Sequence, residues 1–201
     1  MLSCNPGRHH LSSVVIYLDH NATTPVLPEV REAMLPYLES EWGNPSSSYR
    51  FGSKLKGAIE KAREQVAELI GAKSPREILF TSGGTESDNL AIRGVAEASP
   101  RPRKHIITTR VEHHAVLHTC QALQKSGIDV TYLPVNGEGL VDPQDVRKAI
   151  TPDTILISVM HSNNEIGTTQ ALKEIGQIAL EHDLYFHSDA DNSCLLVRLE
   201  I

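Results

Sequence analysis

The stretch TSGGTE (81–86) holds two adjacent glycines, three hydroxyl side chains and one acid, directly after the apolar run ILF. Between a strand and a helix, such a turn aims free backbone N–H groups at an anion, and the helix N-terminus adds partial positive charge. Gly84 and Thr85 are the residues that would cradle a phosphate. Further along, RVEHHAV supplies His113 and His114, HSNNEIG supplies Asn163 and Asn164, and YFHSDA supplies Asp189. A histidine ring can stack on a flat ligand. An asparagine amide can donate to a ring hydroxyl, and a carboxylate beside a pyridine nitrogen favours its protonated form. Each residue also has an ordinary reading. Thr85 or Ser87 can cap a helix, worth roughly 1 kcal/mol. The two histidines can face solvent, Asn-Asn is a common turn dipeptide, and Asp189 can cap a helix of its own. His114 and His118 stand four apart, a metal-ligand spacing, but no third ligand follows at a matching distance. A solvated helix face is the preferred reading of that pair.

For these groups to meet, the chain must bring them to one rim. Strand-like segments fall at 77–81 (EILFT), 104–109, 128–133, 154–160 and 184–188, with ILF read as the end of a buried strand. Helix-like segments lie between them, near 85–98, 113–126, 143–150 and 171–182. Upstream, 29–40 has a helical apolar spacing that Pro36 should kink or shorten. GNPSSSYRFG (43–52) reads as loop, and 53–70 as an amphipathic helix stopped by Gly71. Alternating strands and helices of these lengths predict an α/β fold with three layers and a mostly parallel sheet. In such sheets ligands bind beyond the carboxyl ends of the strands. The glycine turn, His113, Asn164 and Asp189 each follow one of those ends. Together they suit a phosphorylated aromatic heterocycle with a protonated ring nitrogen, which is the description of pyridoxal 5'-phosphate.

Composition narrows the alternatives. The chain has 201 residues, with 25 acidic and 19 basic side chains and a net charge of −6. That balance gives no reason to expect nucleic acid or an anionic membrane as partner. Cys4, Cys120 and Cys194 are isolated, which favours reduced thiols and a cytoplasmic setting. No apolar run is long enough to span a bilayer. Residues 1–16 read as an N-terminal tail, and the lone Arg8 among residues 1–13 is thin support for organelle targeting.

Six blocks, YLDHNATTP, GNPSSSYRFG, FTSGGTESDNLAI, VEHHAVL, MHSNNEIG and YFHSDA, resemble in order and spacing the NifS/IscS-like cysteine desulfurases. These belong to the class V aminotransferase group of fold-type I pyridoxal phosphate enzymes. The resemblance covers 17–190 and implies part of the cofactor-binding large domain, incomplete at its C-terminal side. It implies L-cysteine as substrate, with alanine and an enzyme persulfide as products and a sulfur-acceptor protein serving iron–sulfur assembly or tRNA thiolation. By motif, Gly84 and Thr85 would bind phosphate, and His113 would stack on the ring and take part in proton transfer. Asn164 would contact the ring hydroxyl and substrate carboxylate, and Asp189 the ring nitrogen. The family is homodimeric.

The departures carry equal weight. Members are about twice this length. Asn192 stands where the family has a glutamine, and 191–201 read as a tail outside the family pattern. The Schiff-base lysine, the loop with the catalytic cysteine and the substrate-clamping arginine are missing, so this chain alone is expected to be inactive. A sheet ending after its fifth strand should leave edges that aggregate or recruit a partner. Two other readings remain: a selenocysteine lyase or another class V lyase, and a non-catalytic binding subunit of a full-length partner.

Overall fold

Five short strands form one sheet in the order β2-β1-β3-β4-β5. They are β1 (His105–Thr109), β2 (Asp129–Leu133), β3 (Thr154–Ser158), β4 (Tyr185–Ser188) and β5 (Leu196–Arg198). The computed structural model describes residues 16–20, 22–190 and 196–198. β1 to β4 run parallel, and β5 pairs antiparallel with β4.

Every residue of β1 and β3 is buried, whereas β2, at the sheet edge, is mostly half-buried. The two central runs, HIITT and TILIS, are nearly continuous in small and branched side chains, which suits strands covered on both faces. Successive side chains alternate between faces. Ile106 and Leu156 pack with Ile92 and Ala96 of α3 (Gly84–Ala98) and with Val116 and Cys120 of α4 (His114–Lys125). Their neighbours Ile107 and Ile157 pack with Val146 of α5 (Pro143–Ala149) and with Ile175 and Ala179 of α6 (Leu172–Glu181). Each fully buried isoleucine or leucine contributes about 1.5–3 kcal/mol of transfer free energy. The three-layer α/β architecture is therefore present, with α3 and α4 on one face and α5 and α6 on the other. No helix among the described residues is long and apolar enough to cross a membrane.

Two units divide the chain, 1–40 and 41–201. In the first, α1 (Pro28–Glu39) runs through Pro36 to Glu39, and the Ser40 N–H bonds to the Pro36 carbonyl. Pro36 therefore does not shorten the helix; its missing N–H removes one bond and the remaining turn closes. In the second unit, α2 (Arg50–Ile70) ends on Gly71 at φ 69°, a left-handed cap that glycine adopts without strain. Gly52 allows the loop before α2 to fold back closely, since a Cβ there would lie 2.2 Å from the Asn44 carbonyl oxygen.

The expectation that 77–81 forms a buried strand is not met. A 3-10 turn at Pro75–Glu77 is followed by extended chain without a sheet partner among the described residues. Ile78 is buried, but Leu79 and Phe80 are 67% and 48% exposed. Arg63 of α2 donates to the Ile78 carbonyl, and its guanidinium lies 5.0 Å over the Phe80 ring. A strand is made by its ladder as much as by its side chains, and here α2 supplies the contacts instead.

Candidate functional site

The chain leaves β1 toward β2 on one side and reaches β3 on the other, so the crevice between β1 and β3 is the topological switch point. Ligands of open α/β sheets bind at such a place. The two loops that border it are tied together. Glu112 Oε1 accepts from the Thr109 hydroxyl at 2.7 Å and from the Met160 N–H at 3.0 Å. Asn163 Nδ2 donates to the Val111 carbonyl at 3.0 Å, while its Oδ1 accepts from the N–H groups of Glu165 and Ile166. Asn163 thus shapes the turn, and Asn164 beside it is exposed. Glu112 is buried, and that burial pushes its pKa from 4.5 to about 8, with Asp189 and Asp88 adding to the rise. At neutral pH it is mostly a neutral acid.

Next to this crevice, α3 starts at Gly84 without a side-chain cap. The acid of the turn folds backward, since Glu86 accepts from both the backbone N–H and the hydroxyl of Ser82 at 2.6 Å. Those bonds hold the Glu86 carboxyl below the usual range. Gly84 and Thr85 occupy the first turn, whose N–H groups have no carbonyl four residues back inside the helix. A Cβ added at Gly83 would meet nothing within 4 Å, so the space before the turn is open.

Four residues beyond Gly84, on the same face of α3, Asp88 is 1% exposed. Asp88, His113 and Asp189 each bring a carboxylate oxygen or ring nitrogen within 4.8 Å of the others. Behind Asp88, its Oδ1 lies 3.3 Å from His187 Nε2. That pair is close but poorly aligned for a hydrogen bond. The other ring nitrogen of His187, Nδ1, lies 2.9 Å from the Ser158 hydroxyl. His113 is the N-cap of α4, and its Nδ1 accepts from the Ala115 N–H at 3.2 Å, which assigns a neutral ring's proton to Nε2. The capping role and a place in the cluster are therefore compatible. Asp189 follows β4 directly, is 6% exposed, and accepts through its carbonyl from the His161 N–H at 2.7 Å. His114 and His118 stack at 5.3 Å but join no group of three metal-ligating side chains among the described residues. Asn192 lies outside the described residues.

A family model for class-V aminotransferases matches residues 16–199. The chain belongs to the class-V aminotransferase family. It is 59% identical over 175 residues to cysteine desulfurase IscS of Dictyoglomus turgidum, covering 87% of this chain and 44% of that protein. To cysteine desulfurase of Rattus norvegicus it is 50% identical over 187 residues, covering 92% and 41%. Among solved structures, one described as SspA in complex with cysteine superposes with a TM-score of 0.83 at 45% identity, covering 87% of this chain and 50% of that one. A NifS-like protein also reaches a TM-score of 0.83, at 40% identity, covering 87% and 48%. The chain spans about half the length of the curated relatives it matches.

The donor set of this class-V aminotransferase chain fits the family's cofactor type. Two buried carboxylates beside one imidazole attract positive charge, such as a protonated ring nitrogen. One helical turn away, an open and uncapped helix start attracts an anion. Three separate segments thus bring Gly84, Thr85, Asp88, His113 and Asp189 to one rim, with the Asn164 turn beside them. Three contributors were not singled out from the sequence: Asp88, Glu112 and His187. Asp88 had one legible signal, its four-residue spacing from Gly84. His187 and Asp189 both follow from the alternation in YFHSD, where every second side chain shares a face.

Proposed function

We propose that this chain forms the pyridoxal phosphate-binding half of a cysteine desulfurase, an enzyme that takes sulfur from L-cysteine. The observation that carries this reading is the cluster of two buried carboxylates, Asp88 and Asp189, with the exposed His113 ring, one turn from an uncapped helix start, at the switch point of the sheet. The printed names of its relatives support the reaction class. Gly84 and Thr85 hold the phosphate through backbone N–H groups. Asp189 would hold the proton on the ring nitrogen, and His113 would stack on the ring with Nε2–H available for proton transfer. The Asn164 amide reaches the ring hydroxyl and the substrate carboxylate from the turn that Asn163 shapes. When bound, the cofactor supplies an electron sink for bond cleavage at the amino acid.

Two nucleophiles among the described residues, Cys120 and Lys104, are not placed for that chemistry. Cys120 is fully buried between α4 and the sheet, and burial pushes its thiol up to about 12. A sulfur acceptor needs a thiolate. Lys104 precedes β1, at the strand end away from the rim, and donates to the Ala96 carbonyl. The reaction also calls for a lysine on the rim, a reactive thiolate and a sulfur-accepting partner.

Adding pyridoxal phosphate, reducing with borohydride and measuring intact mass tests this assignment together with an alanine assay. Reversible, fluorescence-detected binding with no fixed adduct and no alanine is the expected result. A stoichiometric adduct on one lysine would overturn the inactivity of the chain alone. Absence of any binding would overturn the cofactor assignment.

A further inference from the structure

Two buried carboxylates within 4.8 Å of one another are more than one ring nitrogen requires. Asp88 and Asp189 are 1% and 6% exposed, and Glu112 is coupled to both. The charged and titratable groups recorded facing Asp88 are His187 from β4, Asp189 after β4, His113 at the start of α4, and Glu112 from the loop after β1. His187 is positioned from below by Ser158 at 2.9 Å and faces Asp88 at 3.3 Å. A neutral His187 with its proton on Nε2 accepts from Ser158 through Nδ1 and leaves Nε2–H close to Asp88, without an aligned hydrogen bond. Its ring is 1% exposed. The Asp88 carboxylate is thereby backed on the rim by His187 and Ser158.

We infer that Asp88 is a second carboxylate for the ring nitrogen of the cofactor, with His187 and Ser158 as the residues that position it. This rests on the cofactor assignment above and adds a residue to it. Asp189 alone would favour the protonated ring; a second anion within about 4–6 Å adds to that preference, and each such neighbour moves a titration by about one to three pH units. The pair also selects among ligands. A flat phosphorylated ring with a basic nitrogen brings a positive N–H to both carboxylates, whereas one carrying a carbon at that position brings none.

The probe is pyridoxamine 5'-phosphate, which carries the ring nitrogen and phosphate but no aldehyde and so needs no lysine. Its affinity is read by fluorescence, and protonation of its bound ring nitrogen by absorbance across pH. Glu112 titrates in the same range, so wild type and variants are compared in a Glu112→Gln background. The expected result is that Asp88→Asn lowers the ring-nitrogen midpoint by about one pH unit or more, a tenfold or larger loss of proton affinity. Ser158→Ala should move it the same way by less. An unchanged midpoint in Asp88→Asn, with Asp189→Asn displaced, would overturn the inference and leave Asp88 as a packing partner of His187. If Asp88→Asn does not fold, Ser158→Ala decides, and an unchanged midpoint there overturns the inference. Failure of the chain itself to bind the probe would instead overturn the cofactor assignment, and the inference with it.

Discussion

Replacing Glu112 by glutamine isolates the energetics of the crevice without any ligand. Glu112 Oε1 holds the Thr109 hydroxyl and the Met160 N–H, and a glutamine carbonyl can accept both bonds. What changes is titration. The carboxyl has a folded value of about 8 against 4.5 in the unfolded chain, raised first by burial and opposed by its two hydrogen bonds. A raised folded value favours the folded state fully below 4.5, and that advantage is lost as pH climbs from 4.5 through about 8. At about 1.36 kcal/mol per pH unit the ceiling is about 5 kcal/mol. Relaxation around a buried carboxylate reduces this, and about 1–3 kcal/mol is the expected change. Urea denaturation of wild type and Glu112→Gln from about pH 5 to about pH 9 measures it. The variant should gain on the wild type steadily across that window, because it lacks the group that must ionise while buried. A constant difference between the two proteins would mean that Glu112 is already ionised when folded and that burial does not dominate its environment. Glu112→Ala is the control, and should lose about 1–3 kcal/mol at every pH because two donors lose their acceptor.

Other expectations are simpler. Gly52→Ala places a Cβ 2.2 Å from the Asn44 oxygen and should destabilise by about 1–3 kcal/mol in a thermal melt; an unchanged Tm would show that the loop gives way. His113→Asn keeps an N-cap side chain for α4 but removes the ring, so it should hold stability near wild type while weakening pyridoxal phosphate fluorescence titration. His113→Ala should lose both, the cap costing about 1 kcal/mol. Ile157→Ala empties a site that is 0% exposed between β3 and α6, and should cost about 2–5 kcal/mol by urea denaturation, with no change in which ligand is bound.

The sheet was legible because HIITT and TILIS are apolar on both faces and the helices between them have clear periodicity. Their ends moved by one or two residues, as with β3, which stops at Ser158. EILFT misled because β-type side chains say nothing about whether a ladder partner lies alongside. The spacing after strand ends put His113 behind β1 and Asp189 behind β4, and the two do lie side by side, whereas the glycine turn follows extended chain and not a strand. It did not identify Asp88, since an acid on the second turn of a helix is ordinarily solvated, and only packing against β4 buries it. Glu112 is similar. Beside two histidines it reads as surface, and its bridge from Thr109 to Met160 exists only because β1 and β3 are neighbours.

The Asp88–His187 contact joins residues far apart in sequence, from the helix that opens the sheet domain to the last of its parallel strands. The rim is therefore complete only where β4 is docked beside β3. A molecule that bridges α3, α4 and the end of β4 recognises only the completed arrangement, and so acts as a clasp on the folded chain. At a hundredfold excess over its dissociation constant such a clasp adds about 2.7 kcal/mol to folding. The supply of that small molecule then becomes a control on how much of the chain survives proteolysis, as well as on what chemistry it supports.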